Sequence, residues 1–238
     1  GCCTDRGNLY EGSIHKGKSS RVKSGVIMTG VKICGLRRKE DIEYVNRYMP
    51  QFAGFVFAES KRRVTKEWAK ELREGLMPGI KAVGVFVSED MEKVADIVKY
   101  TGLDCVQLHG DESPEYIGRL MESIKENEGK KIEIWKGIRV KNKDSLRMMS
   151  EYSVDAFILD TYVEGSYGGS GSVFDWQLAS LAHEYGKIVL AGGLNPQNVR
   201  EAVERVKPFA VDVSSGVETD GFKDEAKIKE FIRNVRQC

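Results

Sequence analysis

The chain has little of what marks a secreted, metal-bound or membrane protein. Its five cysteines, Cys2, Cys3, Cys34, Cys105 and Cys238, are too few and too scattered for a disulfide framework, and no two of them form a CxxC pair. Only three histidines occur, His15, His109 and His183, and they share no spacing that would gather them on one helix face, so no metal site is expected. No apolar run approaches the roughly 18 residues that a membrane helix needs, and no Leu-rich signal core precedes a small-residue cleavage site. Charge of one sign is missing too. The 37 Lys and Arg face 36 Asp and Glu, which leaves no field to gather nucleic acid or an anionic bilayer. These absences predict a cytoplasmic protein with reduced thiols and a small-molecule partner, with no part for nucleic acid or membrane.

What is present suits one large domain, since 238 residues that are 41% hydrophobic can bury a sizeable core. Residues 1–27 stand apart: they are rich in Gly, Ser and Lys, carry five Lys or Arg against two acids, and show no periodic apolar face. That composition cannot bury enough surface to offset ordering, and it predicts a mobile N-terminal extension, with a basic partner-binding tail as the alternative. The fold itself is expected over residues 28–238, starting at Met28.

From Val31 a regular alternation begins. Short β-branched or aromatic runs start at Val31 (VKIC), Phe52 (FAGFVF), Lys81 (KAVGVFV), Cys105 (CVQLH), Lys131 (KIEIWKGI), Ala156 (AFILD), Lys187 (KIVLAGG) and Phe209 (FAVDVSSG). Charged segments of helical period separate them. Ser88, Ser113 and Asn195 are placed to cap three of these helices. Strands this apolar are buried on both faces, which implies parallel pairing under a layer of helices. Eight strand starts, spaced 21 to 31 residues apart, predict a single-domain α/β fold, the (β/α)8 TIM barrel. The rival, a doubly wound open sheet, is weakened by the absence of a GxGxxG loop after the first strand.

In such a barrel the chemistry sits where strands end and loops begin. Cys34 closes the first strand at that rim, whereas Cys105 opens the fourth and belongs to the floor. Asp160 closes the sixth strand, where a carboxylate is costly unless it is paired or meets a ligand. Arg62 or Arg63, in the loop after the second strand, can hold a carboxylate bidentately. His109 can position a substrate group or bond to a loop. The turns after strands seven and eight, with Gly192, Gly193 and Gly216 beside Ser214 and Ser215, can present backbone amides and hydroxyls to a phosphate. Gly168, Gly169 and Gly171 after strand six suit a lid or a further amide donor.

The ordered motifs VKICGL, GFVFAESKR, VGVFV, VQLHGDE, FILDT, YGGSG, FDW, AGGLNPQNV and FAVDVSSGVE resemble those of the phosphoribosylanthranilate isomerase family, from about Met28 to the C-terminus. The resemblance implies a cofactor-independent Amadori rearrangement in tryptophan biosynthesis. On it, Asp160 is the general acid that opens the ribose ring and Cys34 the general base that takes the C2′ proton. Arg62 then meets the anthranilate carboxylate, Asp212 lies beside the ribose, and the glycines of loops six to eight cradle the phosphate. Acid and base would share one negative charge if close together. Glu59 departs from the pattern by setting an extra acid near Arg62. The alternatives are a ProFAR-isomerase-like or dual-substrate isomerase, whose carboxylate at the end of strand one Cys34 replaces, and a non-catalytic phosphate-binding barrel. Monomer and homodimer both stay open.

Overall fold

A computed structural model of the protein describes residues 28–124, 131–140, 142–160 and 176–238. The proposed extension, residues 1–27, and the glycine-rich run with Gly168, Gly169 and Gly171 lie outside the described residues. Eight strands, β1 (Gly30–Cys34), β2 (Phe52–Val56), β3 (Lys81–Phe86), β4 (Cys105–Leu108), β5 (Glu133–Arg139), β6 (Ala156–Asp160), β7 (Ile188–Ala191) and β8 (Ala210–Val213), pair in parallel and in order. The barrel closes where β8 returns to β1, with Gly30 opposite Ala210, Lys32 opposite Asp212 and Ile33 opposite Val213. The expected (β/α)8 barrel is the observed one.

The helices are α1 (Lys39–Tyr48), α2 (Lys66–Glu74), α3 (Met91–Thr101), α4 (Pro114–Ile124), α5 (Lys143–Arg147), α6 (Trp176–Leu181), α7 (Val199–Val206) and α8 (Glu225–Arg236). Local capping decides where several begin. Ser113 accepts from the Tyr116 amide at 3.1 Å, as its position before Pro114 suggests. Ser88 is not the cap of α3: Asp90 takes the Lys93 amide at 3.2 Å, while Ser88 sits in the left-handed region at φ 45°. Asn195 caps a turn ahead of α7, accepting from Gln197 at 2.9 Å and Asn198 at 3.2 Å, and the helix proper starts at Val199.

Side chains alternate across each strand. One set, Phe52, Val83, Cys105, Trp135, Ile158, Val189 and Ala210 among them, packs on itself inside the barrel. The other packs outward against the helices, as Ile33, Phe55, Ile134, Phe157 and Val211 do. Cys105 is fully buried in the inner cluster, on the floor side, as expected.

Two features at the opposite end were not foreseen. A hairpin, β9 (Glu218–Thr219) and β10 (Phe222–Lys223), follows β8, and Arg37 and Arg38 lie over its Phe222 ring at 4.5 and 4.6 Å. The second feature is a buried ion pair, Lys136 with Glu112, at 3.1 Å. Lys136 Nζ also donates to the Gly110 carbonyl at 2.6 Å, and Glu112 Oε1 accepts from the Ser88 amide at 2.8 Å. One pair thereby ties the ends of β3, β4 and β5 together just past His109. Removing one partner strands the other charge in the interior, which costs about 3–5 kcal/mol. Lys136→Met is therefore expected to lower the urea unfolding midpoint by that much stability, and Glu112→Leu combined with Lys136→Met to recover part of it.

Candidate active site

The inward alternation continues past the apolar layer and becomes polar. Above Phe52, Val83 and Trp135 it presents Lys32 and Cys34 from β1, Gln107 and His109 from β4 and the loop after it, Asp160 from β6 and Asp212 from β8. Cys34 is buried, and its sulfur fits because β2 has a glycine beside it in register. A Cβ at Gly54 would sit 2.9 Å from Sγ. Gly35 follows at φ 80°, and a Cβ there would meet the Arg62 Cδ at 2.5 Å. Glycine after the cysteine thus lets the Arg62 stem cross the end of β1.

His109 repeats the device. A Cβ at Gly137 on β5 would lie 2.7 Å from its Nδ1. Across that gap the ring reaches Asp160, Nε2 to Oδ2 at 3.2 Å, while Nδ1 is 3.2 Å from the Gln107 amide nitrogen. With the Gln107 amide donating to Nδ1, the ring proton belongs on Nε2 and points at Asp160, which fixes the carboxyl plane. The partners of His109 are thus strand residues, Gln107 of β4 and the carboxyl of β6, and not a loop.

Arg62 and Arg63 are cleanly separated. Arg63 pairs outward with Glu59 on the surface, so the extra acid of this loop does not touch Arg62. Arg62 turns inward and meets Glu218 of the hairpin through Nε and Nη2, each at 2.7 Å. Lys223 completes the cluster, donating to Glu218 at 2.7 Å and to the Ser214 carbonyl at 3.0 Å. Burial alone would raise the Glu218 carboxyl, but the bonds from Arg62 and Lys223 outweigh it and hold it down at about 2. Burial lowers Lys223 in spite of Glu218.

Cys34 and Asp160 stand on strands that are not neighbours. β7 and β8 stand between their strands, and the strongest influences on the thiol are of other origin. Burial pushes it up and outweighs the downward pull of Lys32, Asp212 adds to the rise, and the thiol stands above its usual value. Asp212 itself bonds Lys32 at 2.9 Å through Oδ2, while its Oδ1 is buried with no partner among the described residues. Lys32, Lys223 and Glu218 escaped sequence reasoning. A lysine two residues before Cys34 in an otherwise apolar strand was the available signal, because alternation puts the two on one face.

The phosphate candidates fall at the same mouth. Gly192 and Gly193 follow β7 at φ 87° and 65°, and Gly216 lies so close to the loop after β7 that a Cβ would strike the Leu194 oxygen at 1.9 Å. Ser215 is exposed there. The Ser214 hydroxyl donates to the Cys34 carbonyl at 3.1 Å, which joins loop eight to β1.

This arrangement has known counterparts. The family model described as N-(5′-phosphoribosyl)anthranilate (PRA) isomerase matches residues 31–234. A protein of that name from Acetivibrio thermocellus is 67% identical over 208 residues, covering 87% of this chain and 95% of its own length. Another from Caldanaerobacter subterraneus is 49% identical over 205 residues, 86% of this chain and 97% of its own. The crystal structure of the Thermotoga maritima isomerase covers 89% of this chain and all (100%) of its own, at 40% identity and a TM-score of 0.77. Matches of this extent and identity, over the barrel that carries Cys34 and Asp160, mean that the chain belongs to the phosphoribosylanthranilate isomerase family.

Proposed function

We propose that the chain converts N-(5′-phosphoribosyl)anthranilate to 1-(o-carboxyphenylamino)-1-deoxyribulose 5-phosphate, the isomerase step of tryptophan biosynthesis, with Asp160 as general acid and Cys34 as general base. The observation that carries these roles is a thiol and a carboxyl closing β1 and β6 at one mouth, each seated by its own polar partners. A related structure, 37% identical, was determined in complex with the reduced form of that product, which supports a phosphorylated small-molecule ligand here.

The chemistry needs a proton delivered and a proton removed on one substrate. Asp160 gives its proton to the ribose ring oxygen, the C1′–O bond breaks, and the anthranilate nitrogen takes up the electron deficiency as a Schiff base. The acidified C2′ proton passes to the Cys34 sulfur, and the enolamine that results tautomerises to the ketone. His109 keeps the Asp160 carboxyl in one plane. Asp212 Oδ1, buried without a partner among the described residues, suits a ribose hydroxyl. Arg62 need not leave Glu218 to take the anthranilate carboxylate, because Glu218 uses the Nε–Nη2 edge and a guanidinium has a second bidentate edge at Nη1–Nη2. The phosphate falls to the amides around Gly192, Gly193, Ser215 and Gly216, with Gly168, Gly169 and Gly171 as further candidates from the loop after β6.

Steady-state turnover of N-(5′-phosphoribosyl)anthranilate tests the two proton carriers. Cys34→Ala and Asp160→Asn are each expected to lower kcat by about 10²–10⁴ with little change in KM, and full activity in either variant removes that residue from the mechanism. Arg62→Ala should act mainly on KM, which rises if the carboxylate contact is lost; an unchanged KM moves that contact elsewhere.

A further inference from the structure

The strand that ends at Cys34 carries a side chain for which an apolar strand has no use. Lys32 stands between Val31 and Ile33, is 0% exposed, and faces Asp212 across the β1–β8 seam. Taking an ammonium and a carboxylate out of water gains little over an apolar pair of the same volume, so stability alone does not account for them. Alternation sets Lys32 and Cys34 on one face of β1, so the ammonium that bonds Asp212 lies on the thiol's side of the strand. Four elements bring charge to the sulfur: Lys32 from β1, Asp212 from β8, Lys223 from β10 and Arg62 from the loop after β2. Arg62 and Lys223 are both committed to Glu218. Lys32 is the cation whose counter-ion keeps an oxygen with no partner among the described residues.

We propose that Lys32 is a positioning residue for the isomerisation, its ammonium lowering the cost of forming the Cys34 thiolate beside the substrate while Asp212 sets how much of that charge the sulfur feels. This role depends on Cys34 being the base proposed above. The thiol proton passes to water, Lys32 keeps its own proton, and the sulfur anion is then able to accept the C2′ proton. A ribose hydroxyl on Asp212 Oδ1 draws the carboxylate charge toward the ligand and leaves more of the Lys32 field for the sulfur.

Alkylation of Cys34 by iodoacetamide as a function of pH, read by mass spectrometry on the peptide that contains it, reports the thiolate without any need for turnover. In Lys32→Met the inflection is expected to rise by at least about one pH unit, which slows alkylation roughly tenfold at neutral pH. Lys32→Arg should stay near the wild type, and Asp212→Asn should shift the inflection the opposite way. The acidic limb of kcat should follow in the same order. A folded Lys32→Met protein with the wild-type inflection, or a Lys32→Arg protein that behaves like Lys32→Met, overturns the proposal. Where Lys32→Met fails to fold, the Lys32→Met, Asp212→Asn double variant removes both charges together. Its inflection must lie above that of Asp212→Asn alone, and equality overturns the role. Full turnover by Cys34→Ala would instead refute the base assignment and leave the alkylation shifts standing.

Discussion

Closure of β8 onto β1 sets the register on which the whole mouth depends. Gly30 opposite Ala210 fixes Lys32 opposite Asp212, and that fixes which side chains stand around Cys34 one step higher. A parallel seam of this kind satisfies backbone groups on both strands and leaves no free edge, so the register cannot slip without opening the barrel. The ion pair sits inside that constraint. A one-residue shift would turn Lys32 or Asp212 outward and leave the other charge buried and unpaired, a penalty of several kcal/mol. The polar layer that serves the site thereby also disfavours alternative closures of the apolar sheet.

The two buried strand cysteines show how height within the barrel changes one side chain. Cys105 lies on the floor among Phe52, Val83 and Trp135, where burial drives its thiol far up and the neighbouring Glu133 adds to the rise. It behaves as a small hydrophobe. Cys34 meets the same burial, but the next strongest influence on it is the Lys32 ammonium, which acts the other way. Gly54 makes room for its sulfur as Gly137 makes room for the His109 ring. On both sides of the mouth, then, a polar side chain is seated by leaving out a Cβ on the next strand.

Much of this was legible in the sequence, because strand alternation and helix period are local properties of the chain. All eight strands lie where the apolar runs place them, and the rim position of Cys34 and Asp160 followed from counting. Charge pairing was less legible. Lys136 with Glu112 and Arg62 with Glu218 join residues 24 and 156 positions apart, and no local pattern announces such partners. Ser88 misled as a cap because Asp90, two residues on, competes for the same helix start and has the better placed carboxylate. The β9–β10 hairpin did leave a signal that went unread. Asp220 and Gly221 between Thr219 and Phe222 form a two-residue Asp-Gly turn, and both have positive φ, at 51° and 78°.

That hairpin matters because of the charge it delivers. Around the Cys34 sulfur stand three cations, Lys32, Arg62 and Lys223, against two carboxylates, Asp212 and Glu218. One positive charge is left over in a chain whose total is only +1. A buried excess of this sort is expensive in a low dielectric and is relieved by any anion that enters. A thiolate on Cys34 is one such anion, and a carboxylate on the ligand is another. With a neutral thiol the cluster is unbalanced, and with the thiolate formed it balances. The charge arithmetic therefore favours a cysteine over an aspartate at the end of β1: a permanent carboxylate would neutralise the cluster in every state, whereas a thiol lets the surplus charge persist until proton loss or ligand entry discharges it.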